Sequence, residues 1–186
     1  MAHGSRTGWL VCAILQLSAT AQAGPVEAQC GKPCTVSIGG PIGEADYRAF
    51  HDLAAAHPDA LVVLTGPGGR VDPALAIGRE IRARGMRTLV PAGATCASAC
   101  SLIWLAGTQR LLGEGARIGF HALSIQSGVG AWGETHAFDS EIIRYLNHLD
   151  YAIDVTATIV NTPSVMVHWR DRLELNANGI ATMDYP

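Results

Sequence analysis

In GATCASACSLIWLAGTQR, Gly93–Arg110, one small polar residue, Ser98, stands between Cys96 and Cys100 just where an apolar helix begins. Serine is a preferred helix N-cap, because its oxygen accepts from an unpaired backbone N–H of the first turn. The same position suits a nucleophile, because unpaired N–H groups and the helix dipole favour developing negative charge. The flanking sequence decides between these readings.

Working upstream, RTLVP (87–91) reads as a strand that delivers the chain to the Gly93 loop. Before it, VDPALAIGREIRARG carries Asp72 as N-cap, Pro73 at the first helical position, Ile77 and Ile81 on one face and Gly85 as a stop. ALVVLT (60–65) is a continuous apolar run, the pattern of a parallel strand covered on both faces. Earlier still, CTVSIGGPI reads as a strand and EADYRAFHDLAAA as a helix with Tyr47, Phe50 and Leu53 at helical spacing. Downstream, ARIGFH is a strand ending at His121 and SIQSGVGAWGE a glycine-rich loop. THAFDSEIIRYLNHLDYAIDVTATIV predicts one long helix, with Phe138, Ile142, Leu146, Leu149 and Ile153 along one face. The segment around SVMVHWRDRLELNANGI is expected to be helical in parts, with a turn at Asn178-Gly179. Strand and helix alternating over short connections predict an α/β fold of parallel β-α-β units.

The first residues set the compartment. MAHGSRTGWLVCAILQLSATAQA has a weakly basic start at Arg6, an apolar stretch from Trp9 to Leu17, and a small-x-small Ala21-Gln22-Ala23. This is the pattern of a secretory signal peptide over 1–23. The apolar stretch falls short of the roughly 20 residues a spanning helix needs, and neither Cys12 nor Cys30 has a lipid-attachment context, so no stable membrane anchor is expected. Residues 24–186 then form one domain in the periplasmic or secreted space. Loss of Arg6 makes the formal charge of −3 one unit more negative, and scattered cations apart from REIRARGMR leave no nucleic-acid footprint. Cys30, Cys34, Cys96 and Cys100 remain, an even number in an oxidising compartment, which favours two disulfides over a zinc site built from the two C-x₃-C pairs. The expected pairing is Cys30 with Cys34 and Cys96 with Cys100, each close in sequence. No metal or other cofactor is implied.

Three features carry chemistry. TGPGGRV places Gly66, Gly68 and Gly69 directly after the buried strand, where backbone N–H groups can face a cavity without Cβ obstruction; the Lys-Ser/Thr ending of a phosphate loop is missing. Ser98 opens a helix. His121 ends a strand beside a glycine-rich loop, a place where catalytic groups tend to be carried. Each has a bland alternative as turn, cap or structural histidine.

Taken in order, GPGGRV, GATCASACSLIWLAG, TQR and ARIGFH resemble the proteolytic subunit family of Clp proteases, within the wider ClpP/crotonase fold that also holds signal-peptide peptidases of the serine type. The resemblance runs from about Val62 to His121 and more weakly to the helix beginning near Thr135; it is strongest to exported ClpP-like proteins carrying a SAC motif. It implies an α/β, ClpP/crotonase-like fold of repeated β-β-α and β-α units with a mostly parallel sheet. It also implies a serine endopeptidase acting on peptides or unfolded protein, in which Ser98 attacks, His121 moves the proton, Gly69 and Ala99 supply the oxyanion N–H groups, and Gly68 lines the substrate path. Relatives of this fold form rings or smaller assemblies, so a homo-oligomer is implied, while an exported chain meets no ATP-driven unfoldase.

The chain departs from the family between Gly107 and Arg110, where it is short, and after Thr162, where it is truncated. The family's acidic triad member lies in that second region. Asp171 in HWRDRL is the nearest match; Asp139, Asp150 and Asp154 are alternatives, as is a Ser-His dyad oriented by a backbone carbonyl. Two further functional readings stand beside the peptidase. One is a non-catalytic exported domain that binds peptides or partners; the other is an acyl-CoA-transforming crotonase relative, disfavoured because that activity works without a Ser-His pair.

Overall fold

The structure, a computed structural model, describes residues 26–122, 124–126, 132–134, 138–163 and 165–186. The expected signal segment, 1–23, and the centre of the glycine-rich loop lie outside them.

The chain enters as a hairpin of β1 (Glu27–Cys30) and β2 (Cys34–Ile38), then a short β3 (Pro41–Ile42) and helix α1 (Glu44–Ala56). Next come β4 (Leu61–Leu64), the two-residue β5 (Gly68–Gly69), α2 (Val71–Ala83) and β6 (Arg87–Val90). The quoted stretch forms β7 (Thr95–Ala97) and α3 (Ala99–Leu105), and is followed by β8 (Arg110–Leu112) and β9 (Arg117–Phe120). Beyond are β10 (Ser124–Gln126), β11 (Trp132–Glu134), α4 (Asp139–His148), α5 (Ile153–Val160), β12 (His168–Arg170), α6 (Arg172–Ala177) and β13 (Met183–Asp184).

The main sheet has the order β1-β2-β4-β6-β8-β13, parallel except for the β1–β2 hairpin. Strand alternation divides its side chains. Val36, Ile38, Val62, Leu64, Val90 and Leu112 join the large core with α1, α2 and α3, while Leu61, Leu89 and Leu111 form a smaller cluster with Val63. The continuous apolar run of β4 is thereby explained: successive residues enter different clusters.

A second sheet, ordered β12-β9-β7, positions the site. Strands β7 and β9 are parallel with Ala97 opposite Gly119, so the residues that follow them, Ser98 and His121, emerge together at the same end. Neighbouring strands lie about 4.8 Å apart, which brings two residues distant in sequence into one locality.

Two expectations are corrected. The long helix is two, α4 and α5, separated by a turn in which Asp150 takes φ 64°. Helix α2 begins after Arg70 rather than Asp72, so Pro73 falls inside its first turn, where no intrahelical N–H is yet required.

Candidate active site

Ser98 joins β7 to α3 with φ 56° and ψ −127°. That is outside the small left-handed well open to ordinary residues, and such a conformation costs on the order of 1–3 kcal/mol unless its surroundings enforce it. Its side chain makes no capping bond. Ser98 thus holds the N-cap position of α3 without its hydroxyl capping the helix. The Ser98 N–H donates to the Gly119 carbonyl at 2.9 Å, and its own carbonyl accepts from the Ser101 and Leu102 N–H groups at 2.9 and 3.3 Å. A disulfide joins Cys96 and Cys100 across it, with Cα atoms 5.3 Å apart. The second disulfide joins Cys30 and Cys34. Both pairs are those expected.

The glycines of the PGG loop ride along β7. Gly66 donates to the Thr95 carbonyl at 2.9 Å and accepts from the Ala97 N–H at 3.0 Å. A Cβ on Gly68 would sit 2.7 Å from the Ala97 oxygen, 2.7 Å from the Ser98 Cβ and 2.8 Å from the Ala99 nitrogen, so only glycine fits against the serine. Arg70 N–H donates to the Ile42 carbonyl of β3. Because successive N–H groups of a strand point to opposite edges, that of Gly69 faces away from β3. The Ala99 N–H opens α3, where the first four N–H groups have no intrahelical acceptor.

His121 lies half-buried, with Nδ1 2.6 Å from the Ala122 carbonyl oxygen. A carbonyl only accepts, so Nδ1 carries the hydrogen, which leaves Nε2 as the acceptor nitrogen of the neutral ring. Ala122 is itself fixed, its N–H donating to the Thr162 carbonyl at 2.5 Å. Ser98 and His121 line one cavity with Ser101 and Asp139, and its remaining wall, including Leu102, Phe120, Ile142 and Ile159, is apolar. Its volume of about 10 Å³ has room for roughly one water. No hydrogen bond joins Ser98 Oγ to either His121 nitrogen; in unliganded enzymes such bonds are often long and tighten with substrate.

The structure does not bring Asp171 to His121. Strand β12 runs antiparallel to β9 with Arg170 opposite Ile118, so Asp171 lies level with Arg117 at the far end of β9, about 13 Å along the strand from His121. Its carboxylate caps α6, accepting from the Glu174 N–H at 2.9 Å while the Glu174 carboxylate accepts from the Asp171 N–H at 3.0 Å. Of the alternative acids, Asp139 lines the cavity. Asp150 turns the chain between α4 and α5, and Asp154 lies in the first turn of α5. The backbone carbonyl that meets His121 is one residue on, and no side-chain pattern signals it. Gly119 was legible: an isolated glycine inside a strand marks close approach, and here a Cβ would meet Val167 and Trp169 at 2.5 and 2.9 Å.

Cys30, Cys34 and His57 gather their Sγ and ring nitrogen atoms within 4.8 Å of one another, away from this cavity.

No family model matches the chain, and no curated protein matches its sequence. Solved structures do. The 1510-N membrane-bound stomatin-specific protease, as a serine-to-alanine variant, matches with a TM-score of 0.62 at 20% identity, over 80% of this chain and 77% of that one. A lysine-to-alanine variant of the 1510-N protease in complex with a substrate peptide matches with a TM-score of 0.62 at 22% identity, over 80% and 73%. The chain thus has the ClpP-like fold, as its motifs implied. Among the described residues, no helix is long and apolar enough to cross a membrane.

Proposed function

We propose that the protein is an exported serine peptidase that cleaves peptides or unfolded protein at Ser98. The observation that carries this reading is the backbone of Ser98: a non-glycine residue at positive φ, without a side-chain capping bond, just after a strand whose parallel neighbour is followed by His121. Strain of this kind persists where a site needs a side chain presented out of a sharp strand-to-helix turn. Protease structures of the same fold, one holding a substrate peptide, support a peptide as substrate.

In this mechanism Ser98 Oγ attacks the scissile carbonyl carbon while His121 Nε2 takes the hydroxyl proton, which it later gives to the leaving amine. The Ala122 carbonyl, accepting from Nδ1–H, holds the tautomer and carries the orienting part otherwise given to a carboxylate. The Gly69 and Ala99 N–H groups receive the oxyanion, with Gly68 letting the two segments close on one another. Lysine is not the base: the single lysine of the sequence, Lys32, lies in the β1–β2 turn at the outer edge of the main sheet. Two disulfides and the signal-like 1–23 segment support export. A homo-oligomer without an ATP-driven unfoldase, and without a cofactor, completes the proposal.

The absence of a Ser98–His121 hydrogen bond and the small cavity favour a second reading, a peptide-binding domain without catalysis. Turnover of an unfolded protein such as reduced casein separates the two. The peptidase reading requires fragments from the oxidised wild type and a loss on the order of 10⁴-fold in Ser98→Ala and His121→Ala; equal, zymogram-silent binding by all three would support the binding domain.

A further inference from the structure

The two disulfides occupy opposite surroundings. Cys96 and Cys100 are 0% and 1% exposed, whereas Cys30 is exposed and Cys34 half-buried. Cys30 and Cys34 are the last cross-strand pair of the β1–β2 hairpin, and β1 is the outermost strand of the main sheet, paired on one side only. Opening this bridge loosens an edge hairpin and leaves the core in place. Beside it stands an imidazole: His57, at the C-terminal end of α1, puts Nδ1 3.6 Å and Nε2 3.9 Å from Cys30 Sγ. Lys32 adds a positive charge in the intervening turn.

We propose that Cys30, Cys34 and His57 form a thiol–disulfide exchange site whose substrate is a thiol. A disulfide opens when a thiolate reaches one sulfur and the other leaves as thiolate, faster the better that leaving group is stabilised. Cys34 is only half-buried, which allows the approach, and the His57 ring beside Cys30 Sγ supplies a hydrogen-bond donor that stabilises the departing thiolate. The incoming thiolate therefore bonds to Cys34 Sγ; the electron pair of the broken S–S bond moves to Cys30 Sγ, to which the His57 ring N–H donates. A second thiolate then attacks the substrate sulfur of the mixed disulfide and releases Cys34 as thiolate. The net change converts two thiols to their disulfide and reduces the protein pair to a dithiol; the reverse direction consumes a substrate disulfide. The buried Cys96–Cys100 bridge has neither access nor a neighbouring imidazole among the described residues and stays oxidised.

The test uses the oxidised full chain in native buffer with reduced glutathione, quenched with N-ethylmaleimide and read by peptide mapping. The proposal expects Cys30–Cys34 to open at least ~10-fold faster than Cys96–Cys100. It expects trapped intermediates with glutathione on Cys34 and maleimide on Cys30, and a ~10-fold slower opening in His57→Ala. His57→Phe, which keeps side-chain bulk at the helix end but has no ring N–H to donate, should slow opening to the same degree. Simultaneous opening of both bridges, glutathione trapped on Cys30, or wild-type rates in both His57 variants would each overturn it. Ser98 has no part in the readout, so the result stands whichever way the peptidase reading falls.

Discussion

At the scale of single residues, the site is defined by what cannot be replaced. Gly68 has φ 102° and no room for a Cβ against Ser98 and Ala99. Gly68→Ala should therefore lower stability by about 2–3 kcal/mol in denaturant melts and peptidase turnover by ~100-fold or more, since the methyl pushes the oxyanion donors off the serine. Asp171 gives the opposite profile. As a cap rather than a triad acid, Asp171→Ala should cost about 1 kcal/mol in stability and leave kcat unchanged; a drop near the ~10⁴-fold of a lost triad aspartate would restore its catalytic part. The serine, the histidine and the glycines were legible because their chemistry comes with fixed spacing to strand ends. The orienting group was not, because a backbone carbonyl has no residue type. The cap was legible and passed over: Asp171 and Glu174 stand three apart at the start of a helix, the spacing of a capping box.

At the scale of elements, α3 explains how a seven-residue helix can be wholly buried. Its last carbonyls are all served: the Tyr145 hydroxyl donates to Leu102 at 2.7 Å and Tyr151 to Leu105 at 2.9 Å, the Ala106 N–H to Ile103 at 3.1 Å, and the Thr88 hydroxyl and the Gly107 N–H to Trp104 at 2.8 and 3.2 Å. Burial pushes the Tyr151 phenol up to about 12 and Tyr145 further still. The folded protein thus keeps both phenols neutral where the unfolded chain ionises near pH 10. Their contribution to stability is complete below that pH and declines as pH rises toward 12 and beyond. Tyr145→Phe should cost about 1–2 kcal/mol at neutral pH and flatten the fall in stability above pH 10, measured by urea unfolding across pH. At the other end of α3, removing the bridge in a Cys96→Ala/Cys100→Ala double variant should cost about 2 kcal/mol and slow modification of Ser98, whereas Cys30→Ala/Cys34→Ala should leave Ser98 reactivity intact. Long apolar periodicity identified these elements, but not the break at Asp150: Leu149 and Ile153 continue the same face across it, and the aspartate carries no obvious stop signal.

At the scale of the whole molecule, the main sheet and its helices form the frame, and the small second sheet does the positioning. The frame was readable, since β4 is a continuous apolar run and β2 and β6 are short segments rich in β-branched or apolar residues, all alternating with amphipathic helices. The second sheet was not. Strands β7 and β12 have three residues each, too short for periodicity, and their pairing with β9 is set by hydrogen bonds between distant segments. Motif order nevertheless set Ser98 and His121 at the ends of two strands, and those strands are parallel neighbours whose ends open on one cavity. The most direct measurement is fluorophosphonate labelling of the oxidised protein, mapped by mass spectrometry. The account predicts one adduct, on Ser98, lost in Ser98→Ala and in a folded His121→Ala; an unlabelled wild type that is folded with both disulfides formed, or an adduct on another serine, would contradict it.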